Sequence, residues 1–511
     1  MFFKLDSFAL VGINAVKVAV EIHISNGLPS FSIVGLPDKT INESKDRVKA
    51  SILNSNFKFP LKKIVINLSP ADLKKEGPFY DLPIALCILA LSGQVKHNVF
   101  QSSCFIGELS LDGKLNPVKG VLSMSEKAEI LGKTYFFVPE KNVLEASVIK
   151  KVNIVSCVNL NQLVEMLNNE EILKRNIAKP CGFKDFFSKQ HNNSNNEKID
   201  FKDVKGQYRA KRAMEIAVSG MHNILLVGPP GSGKSMLAER AKTIIPDLEF
   251  DESIEVTKIY SISKKYINNL MIKRPFRHPH HSITSPGMLG GGAYIKPGEI
   301  SLAHRGILFL DEFTEFDSKI IESLRQPLEN KKIAITRNNF TIELPCFFML
   351  IVAMNPCFCG YFGDKYNKCK CSQKDIEKYW KKISGPILDR IDMQINIPRL
   401  KEEDYVKNEK PESSKEIKER IKNTFLTQFE RNSKRSFKFN SEATPEILNK
   451  WVNESNPIKE LLINYSRKSG FSIRSIASII KISRTIADIE GSKTIKEEHL
   501  AEAYQYKTYN K

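Results

Sequence analysis

The chain has 511 residues, 77 Lys and Arg against 58 Asp and Glu, and a formal net charge of +19. That length predicts two to four domains rather than one core, and 41% hydrophobic with 26% charged residues excludes wholesale disorder and collagen-like order. No apolar run reaches the roughly 18 residues that a membrane-spanning helix needs, so no membrane partner is expected. The apolar start, Met1 to Glu21, is broken by Asp6, Lys17 and Glu21. It lacks the basic head and small-residue cleavage site of a signal peptide. Nine cysteines, an odd number, argue against a disulfide framework and for a reducing, cytoplasmic setting. Net charge is +5 over residues 1–200, +9 over 201–400 and +5 over 401–511. The excess is therefore not a basic tail, and it suggests a polyanion partner. Lys365, Lys368, Lys370, Lys374, Lys378, Lys381 and Lys382 crowd one segment, and Arg431, Lys434, Arg435 and Lys438 another. A solvated helix face explains such clusters equally well.

In chain order, residues 1–175 mix strands (Val16–Ile24, Lys63–Leu68) with helices (Thr40–Asn54, Leu82–Ser92), an α+β pattern. Residues 176–200 read as a linker around His191-Asn192-Asn193-Ser194-Asn195-Asn196. Within 201–400, the apolar runs Asn223–Val227, Ile307–Leu310, Phe347–Ala353 and Met393–Ile397 alternate with helical patterns. That alternation predicts an α/β domain with a mainly parallel sheet. A weaker break at Lys401–Ser414, with Pro411, precedes 3.6-residue spacing, so 401–511 is expected to be helical.

Gly228-Pro229-Pro230-Gly231-Ser232-Gly233-Lys234-Ser235 fits G-x-x-x-x-G-K-[ST] between the run Ile224–Val227 and a helical segment that begins at Met236. Backbone N–H groups of such a loop, with the helix N-terminus behind them, surround phosphate oxygens. Lys234 would reach the β- and γ-phosphates of ATP, and Ser235 would coordinate Mg²⁺. Ile307–Leu310 ends in Asp311-Glu312. Asp311 would hold the Mg²⁺ through water and Glu312 would polarise the attacking water, because paired acids at a buried strand end are costly without a cation or a reaction to use them. Asn355, just after the run Phe347–Ala353, would position the same water. Hydrolysis also needs positive charge beside the γ-phosphate. Arg390 is a candidate finger acting on the next subunit, and Arg474, opening the helical pattern Ile476–Ile489, a contact to the nucleotide of its own subunit. A surface arginine is the alternative for each.

Lys234 and Asp311 are 77 residues apart, room for an insertion after the phosphate-loop helix. Ile333 to Leu344 reads as a hairpin with Arg337-Asn338-Asn339 at its turn. His278, His280 and His281 lie among prolines before a Gly-rich stretch and fit a loop better than a metal site. Cys357-Phe358-Cys359 and Cys369-Lys370-Cys371 place four thiols within 15 residues. Four thiolates would hold a structural Zn²⁺. Cys87, Cys104, Cys157, Cys181 and Cys346 are scattered and expected in cores.

The order of phosphate loop, Asp-Glu strand, Asn strand end, arginine and helical lid resembles an AAA+ ATPase. Gly206-Gln207, Ala210-Lys211-Arg212-Ala213, Arg274-Pro275-Phe276-Arg277-His278-Pro279-His280-His281, Pro297 to His304, Leu324-Arg325-Gln326-Pro327-Leu328-Glu329 and Asn355-Pro356-Cys357 are similar to the magnesium-chelatase-like clade. Nearly the whole chain resembles the ComM/YifB family. The resemblance implies a P-loop AAA+ core with a helical lid over 401–511. In front of it would stand an α+β domain like that of Lon protease, marked by Gly107-Glu108-Leu109 and Pro117-Val118-Lys119-Gly120. The Lon enzyme cleaves peptides with a Ser–Lys pair. Here Phe79 and Tyr80 follow Gly77-Pro78 and Leu122 stands two residues after Gly120, while Ser69, Ser92 and Lys127 are off the pattern. A non-proteolytic module is therefore expected.

The resemblance further implies a homo-hexameric helicase that acts on single-stranded and branched DNA. It would promote branch migration when incoming DNA recombines in natural transformation, with recombinase machinery as a further partner. The hairpin would face the pore, with Lys331, Lys332 and Arg337 on the phosphate backbone, in line with phosphate contacts supplying sequence-independent affinity. The rival readings are a chelatase-type motor subunit that remodels a metal-inserting protein and, less favoured, an ATP-dependent protease.

Overall fold

A computed structural model describes residues 1–96, 98–180, 199–263, 270–292, 296–337, 340–400, 411–435, 437–453 and 456–507. Most of the expected linker, Cys181 and the hairpin turn 338–339 lie outside the described residues. The chain forms two compact units: Met1–Ser194 with Glu249–Ile272, and Asn195–Leu248 with Lys273–Lys511.

The first unit is built on a seven-stranded mixed sheet. Its order is Ser30–Val34, Lys63–Ser69, Asn14–Ser25, Phe2–Val11, Ser103–Phe105, Tyr135–Pro139 and Asn153–Cys157. Phe2–Val11 and Asn14–Ser25 pair antiparallel across a two-residue connection. Gly12 there has a φ of 61°, the left-handed backbone such tight hairpins require. The helix Asp81–Leu91 is apolar on every side, and Asp81 through Leu89 are all buried. Its one charge, Asp81, accepts from Arg47 Nε at 2.8 Å and from the Leu109 N–H at 3.2 Å. Phe79 and Tyr80 are packed ring against ring at 4.8 Å, and Leu122 is buried.

An uninterrupted ATPase domain over 201–400 is not what the chain forms. The helix Phe250–Ser263, in the expected insertion, belongs to the first unit. The reason is a set of polar contacts. Ser261 Oγ accepts the Gly120 N–H at 2.9 Å and donates to the buried Glu145. Lys258 pairs with Glu126 at 2.5 Å. Leu270 and Ile272 then close an apolar cluster with Leu122, Val148 and Ile149.

The second unit carries a parallel five-stranded sheet in the order Phe276–Arg277, Ile307–Leu310, Met349–Met354, Ile224–Val227 and Met393–Asn396. The three central strands are buried along their whole length, as expected of a sheet covered on both faces. The expected helical region follows, as helices over Ser414–Asn432, Pro445–Asn453, Asn456–Ser469, Ile473–Ile489 and Glu497–Gln505. It is not a separate domain. Ile417, Phe425, Phe439, Ile479, Ile486 and Leu500 share one core with the sheet residues Ile224, Leu226, Ile351 and Ile395. Lys332–Arg337 and Phe340–Pro345 form the predicted antiparallel hairpin, with Ile333 opposite Leu344 and Ile335 opposite Ile342.

Candidate functional site

Three neighbouring parallel strands end side by side, so the loops that follow them meet. Val227 leads into the phosphate loop, Leu310 into Asp311-Glu312, and Met354 into Asn355. Gly228 has to be glycine, because a Cβ there would sit 2.2 Å from the Ile397 carbonyl oxygen. Gly231 and Gly233 have φ of 77° and 90°, and nothing lies within 4 Å of a Cβ built on either. The loop therefore presents bare backbone with open space above it, ahead of the helix Lys234–Ile244. Ser232 Oγ is buried with no hydrogen-bond partner among the described residues. Pro229 is buried and Pro230 exposed at the loop's rim, and Met236 is half-exposed on the first helical turn.

Lys234 Nζ donates to the carbonyls of Gly228 at 2.7 Å and Pro229 at 3.0 Å, and to Asn355 Oδ1 at 3.3 Å. Burial pushes its ammonium down to about 8, against the opposing pull of Asp311 and Glu312. Ser235 Oγ donates to Asp311 Oδ2 at 2.5 Å. Glu312 takes a left-handed φ of 50° and is exposed, its carboxylate 3.6 Å from His281 Nδ1. Open glycine backbone, a cation, an orphan hydroxyl and a hydroxyl–carboxylate pair form a donor set that fits a nucleotide triphosphate with a hard divalent cation.

Lys234, Ser235, Asp311, Glu312 and Asn355 are thus brought together. Arg390 and Arg474 are not. Arg390 precedes the strand Met393–Asn396, and its carbonyl accepts from Asn223 Nδ2 at 3.0 Å, ahead of the strand Ile224–Val227. It therefore sits at the amino end of the sheet, a strand length of about 13 Å from the phosphate loop. Arg474 Nη2 donates to Glu329 Oε1 at 2.8 Å, and Arg390 to the other oxygen of the same carboxylate. The expected contact of Arg474 with the nucleotide of its own subunit does not form, because the shared core carries the helix Ile473–Ile489 to this end of the sheet. The two arginines, Lys331 and Lys481 line one cleft of about 210 Å³.

Lys331 does not point along the hairpin. It pairs with Glu442 at 2.7 Å, whereas Lys332 is exposed and pairs with Glu343 across the hairpin at 3.1 Å. The Arg337 side chain lies outside the described residues. Sequence reasoning missed His281, read only as a loop residue. It also missed Glu329, whose signal was its place at the end of Leu324–Glu329, and Arg399, whose Nη2 donates to the Pro230 carbonyl at 3.2 Å. Nothing in the sequence marks Arg399. Cys357, Cys359, Cys369 and Cys371 do converge, with their Sγ atoms all within 4.8 Å of one another.

The strand order and the phosphate loop beside an acidic strand end define a magnesium-chelatase-like AAA+ protein, a class that uses ATP and Mg²⁺. Residues 200–405 match the family described as magnesium chelatase, subunit ChlI. Residues 20–142 match subunit ChlI of Mg-chelatase, and 411–507 its C-terminal part. The chain is 39% identical over 503 residues to competence protein ComM of Haemophilus influenzae, covering 98% of this chain and 96% of that one. It is 38% identical over 507 residues to YifB of Escherichia coli, with the same coverage. A more distant likeness, 26% over 192 residues, is to the DNA replication licensing factor MCM2 of Arabidopsis thaliana, covering 38% of this chain and 17% of that protein. The chain belongs to the ComM/YifB family. Among the described residues no helix is long and apolar enough to cross a membrane.

Proposed function

We propose that this protein is a ring-forming, ATP-driven DNA translocase of the cytoplasm that promotes branch migration during recombination of incoming DNA. The observation that carries the ring is the separation of the phosphate loop from Arg390 and Arg474, at opposite ends of one sheet. A subunit that holds its phosphate loop at one end and its arginines at the other would be complemented by a neighbour, and six such copies would make the ring that the family resemblance implies. Lys234 would bind the β- and γ-phosphates, releasing the loop carbonyls it now holds. A Mg²⁺ ion on Ser235 and Asp311 would neutralise phosphate charge. Glu312 would orient and deprotonate the attacking water together with Asn355. The neighbour's Arg390 and Arg474 would stabilise charge on the γ-phosphate.

The DNA reading rests on the competence relative, the MCM2 likeness, the +9 charge of residues 201–400 and the hairpin with Lys332 and Arg337. Lys331, tied to Glu442, is left out of the strand contacts. Strand exchange on a three-stranded junction tests it, with Lys234→Ala and Glu312→Gln as controls. Wild type that binds DNA yet moves no junction with ATP would sink the reading. A chelatase-type motor that remodels a protein partner is favoured only by the family descriptions, and it predicts ATP hydrolysis indifferent to DNA. The packed Phe79 and Leu122, at the positions a Ser–Lys pair would take, speak against a protease.

A further inference from the structure

The four cysteines follow Asn355 directly, and the nucleotide site as described does not use them. Cys357 and Cys359 Sγ lie 3.4 Å apart, Cys357 and Cys369 3.7 Å, and Cys359 and Cys369 3.5 Å. A disulfide would bring two sulfurs to about 2.05 Å. Four sulfurs each about 2.3 Å from a tetrahedral ion would stand about 3.8 Å apart. The spacing suits the ion and not the disulfide. The loop is built to aim these atoms inward. The Gly360 N–H closes a turn on the Cys357 carbonyl at 3.0 Å, with Gly360 at a φ of 82°. Backbone N–H groups of Tyr361 and Phe362 face the Cys357 sulfur, and those of Tyr361 and Lys370 face Cys359.

The same loop touches the phosphate loop and Asn355 and reaches the Asp311-Glu312 strand end through Tyr379. A Cβ on Gly360 would lie 2.8 Å from Pro230 Cδ and 3.8 Å from Asn355 Cγ, so the turn rests directly on the phosphate loop. Arg399 bonds the Pro230 carbonyl, stands 3.8 Å from Asp364 and lies over the Tyr361 ring at 5.4 Å. Phe358 packs edge-on against Tyr379 at 5.0 Å. Tyr379 in turn accepts from Thr314, two residues past Glu312, at 2.8 Å.

We propose that Cys357, Cys359, Cys369 and Cys371 bind one Zn²⁺ and that the zinc-clamped turn at Gly360 buttresses the phosphate loop, so that nucleotide binding depends on the metal. The coupling rests on the ATP reading above; the metal does not. All four positions are filled by protein thiolates, so the ion is structural. Losing it frees the turn, and Pro230 loses its support.

Full-length protein is the sample. Metal analysis should give about one zinc per chain; under half an equivalent, or iron in its place, overturns the site. Cys369→Ser with Cys371→Ser should lose the zinc and bind a fluorescent ATP analogue at least about tenfold more weakly. Gly360→Ala keeps all four thiols. It should retain zinc yet weaken nucleotide binding at least about fivefold, because its methyl meets Pro230 and the left-handed backbone at 360 strains an alanine. Should the double cysteine variant fail to fold, Gly360→Ala and zinc extraction from the native protein by a mercurial, followed by removal of the mercurial with excess dithiothreitol and readdition of zinc, decide the coupling. Zinc loss or Gly360→Ala with unchanged nucleotide affinity overturns the buttress and leaves the zinc site standing. If wild type and Lys234→Ala bind the analogue alike, the ATP reading fails and the coupling with it, while the metal count still decides the zinc.

Discussion

The hydroxyl of Ser235 donates to Asp311 at 2.5 Å across 76 positions of sequence. Two loops that the chain makes far apart thereby meet at one point, where the proposed Mg²⁺ would bind, and Glu312 stands next to it.

Glu312→Gln should therefore separate binding from chemistry. It removes the proposed base while leaving Ser235, Asp311 and Lys234 in place. Turnover should fall by about 10²–10⁴ with nucleotide affinity within a few-fold of wild type. Steady-state ATPase rates and equilibrium titration with a fluorescent analogue measure the two. A joint loss of affinity and rate would point to a structural role for Glu312.

The arginine pair predicts complementation. Arg390→Ala alone should lower ATP turnover by roughly 10³ or more, and so should Lys234→Ala. Mixed rings contain junctions where an intact phosphate loop meets intact Arg390 and Arg474, so mixing the two inactive proteins should restore part of the rate. Mixtures as inert as their components would count against arginines supplied by the neighbour. Glu329→Gln removes the charge that holds the two guanidinium groups and should leave nucleotide binding unchanged.

Lys234 gives a pH signature. Its ammonium is pushed down to about 8 by burial in the free protein, and phosphate oxygens favour the charged form. Below that pH the free protein already carries the proton, so ATP binding takes up none. Above it, binding takes up as much as about one proton and affinity falls by up to about tenfold per pH unit. Calorimetry near pH 8.5 in two buffers of different ionisation enthalpy reads the uptake directly. Identical heats would remove the premise.

Stability of the second unit should hinge on Asp488. Its buried carboxylate accepts from Arg431 at 2.5 and 2.7 Å, from Arg484 at 2.7 and 3.0 Å and from Asn440 at 2.8 Å. Asp488→Ala strands the buried Arg484 and takes a partner from the partly exposed Arg431, and should cost about 3–5 kcal/mol. Asp488→Asn, which keeps the shape and part of the bonding, should cost less. Chemical denaturation resolves the difference.

What the sequence made legible were features carried by short, contiguous patterns. The phosphate loop, the Asp311-Glu312 strand end, Asn355 and the register of Ile333 against Leu344 all follow from local spacing. Arg474 went to the wrong end of the sheet because its partner, Glu329, is 145 positions away and no local pattern encodes that meeting. Lys331 is expected on the DNA backbone only because the family resemblance turns its hairpin toward a pore; Glu442, which neutralises it, belongs to the helical region. The helix Phe250–Ser263 gave no sign of its allegiance. Its buried face includes Glu252, Ser253, Thr257, Lys258 and Ser261, so no apolar stripe announced a partner.

That helix also sets an order of events during synthesis. The first unit needs residues up to Ile272, yet residues 195–248, with the phosphate loop among them, are spliced between its two parts. A ribosome must therefore deliver the nucleotide-binding strand and helix before the amino-terminal unit can finish folding. The Leu122, Val148 and Ile149 surface stays open to water, or to a chaperone, until the interruption has passed.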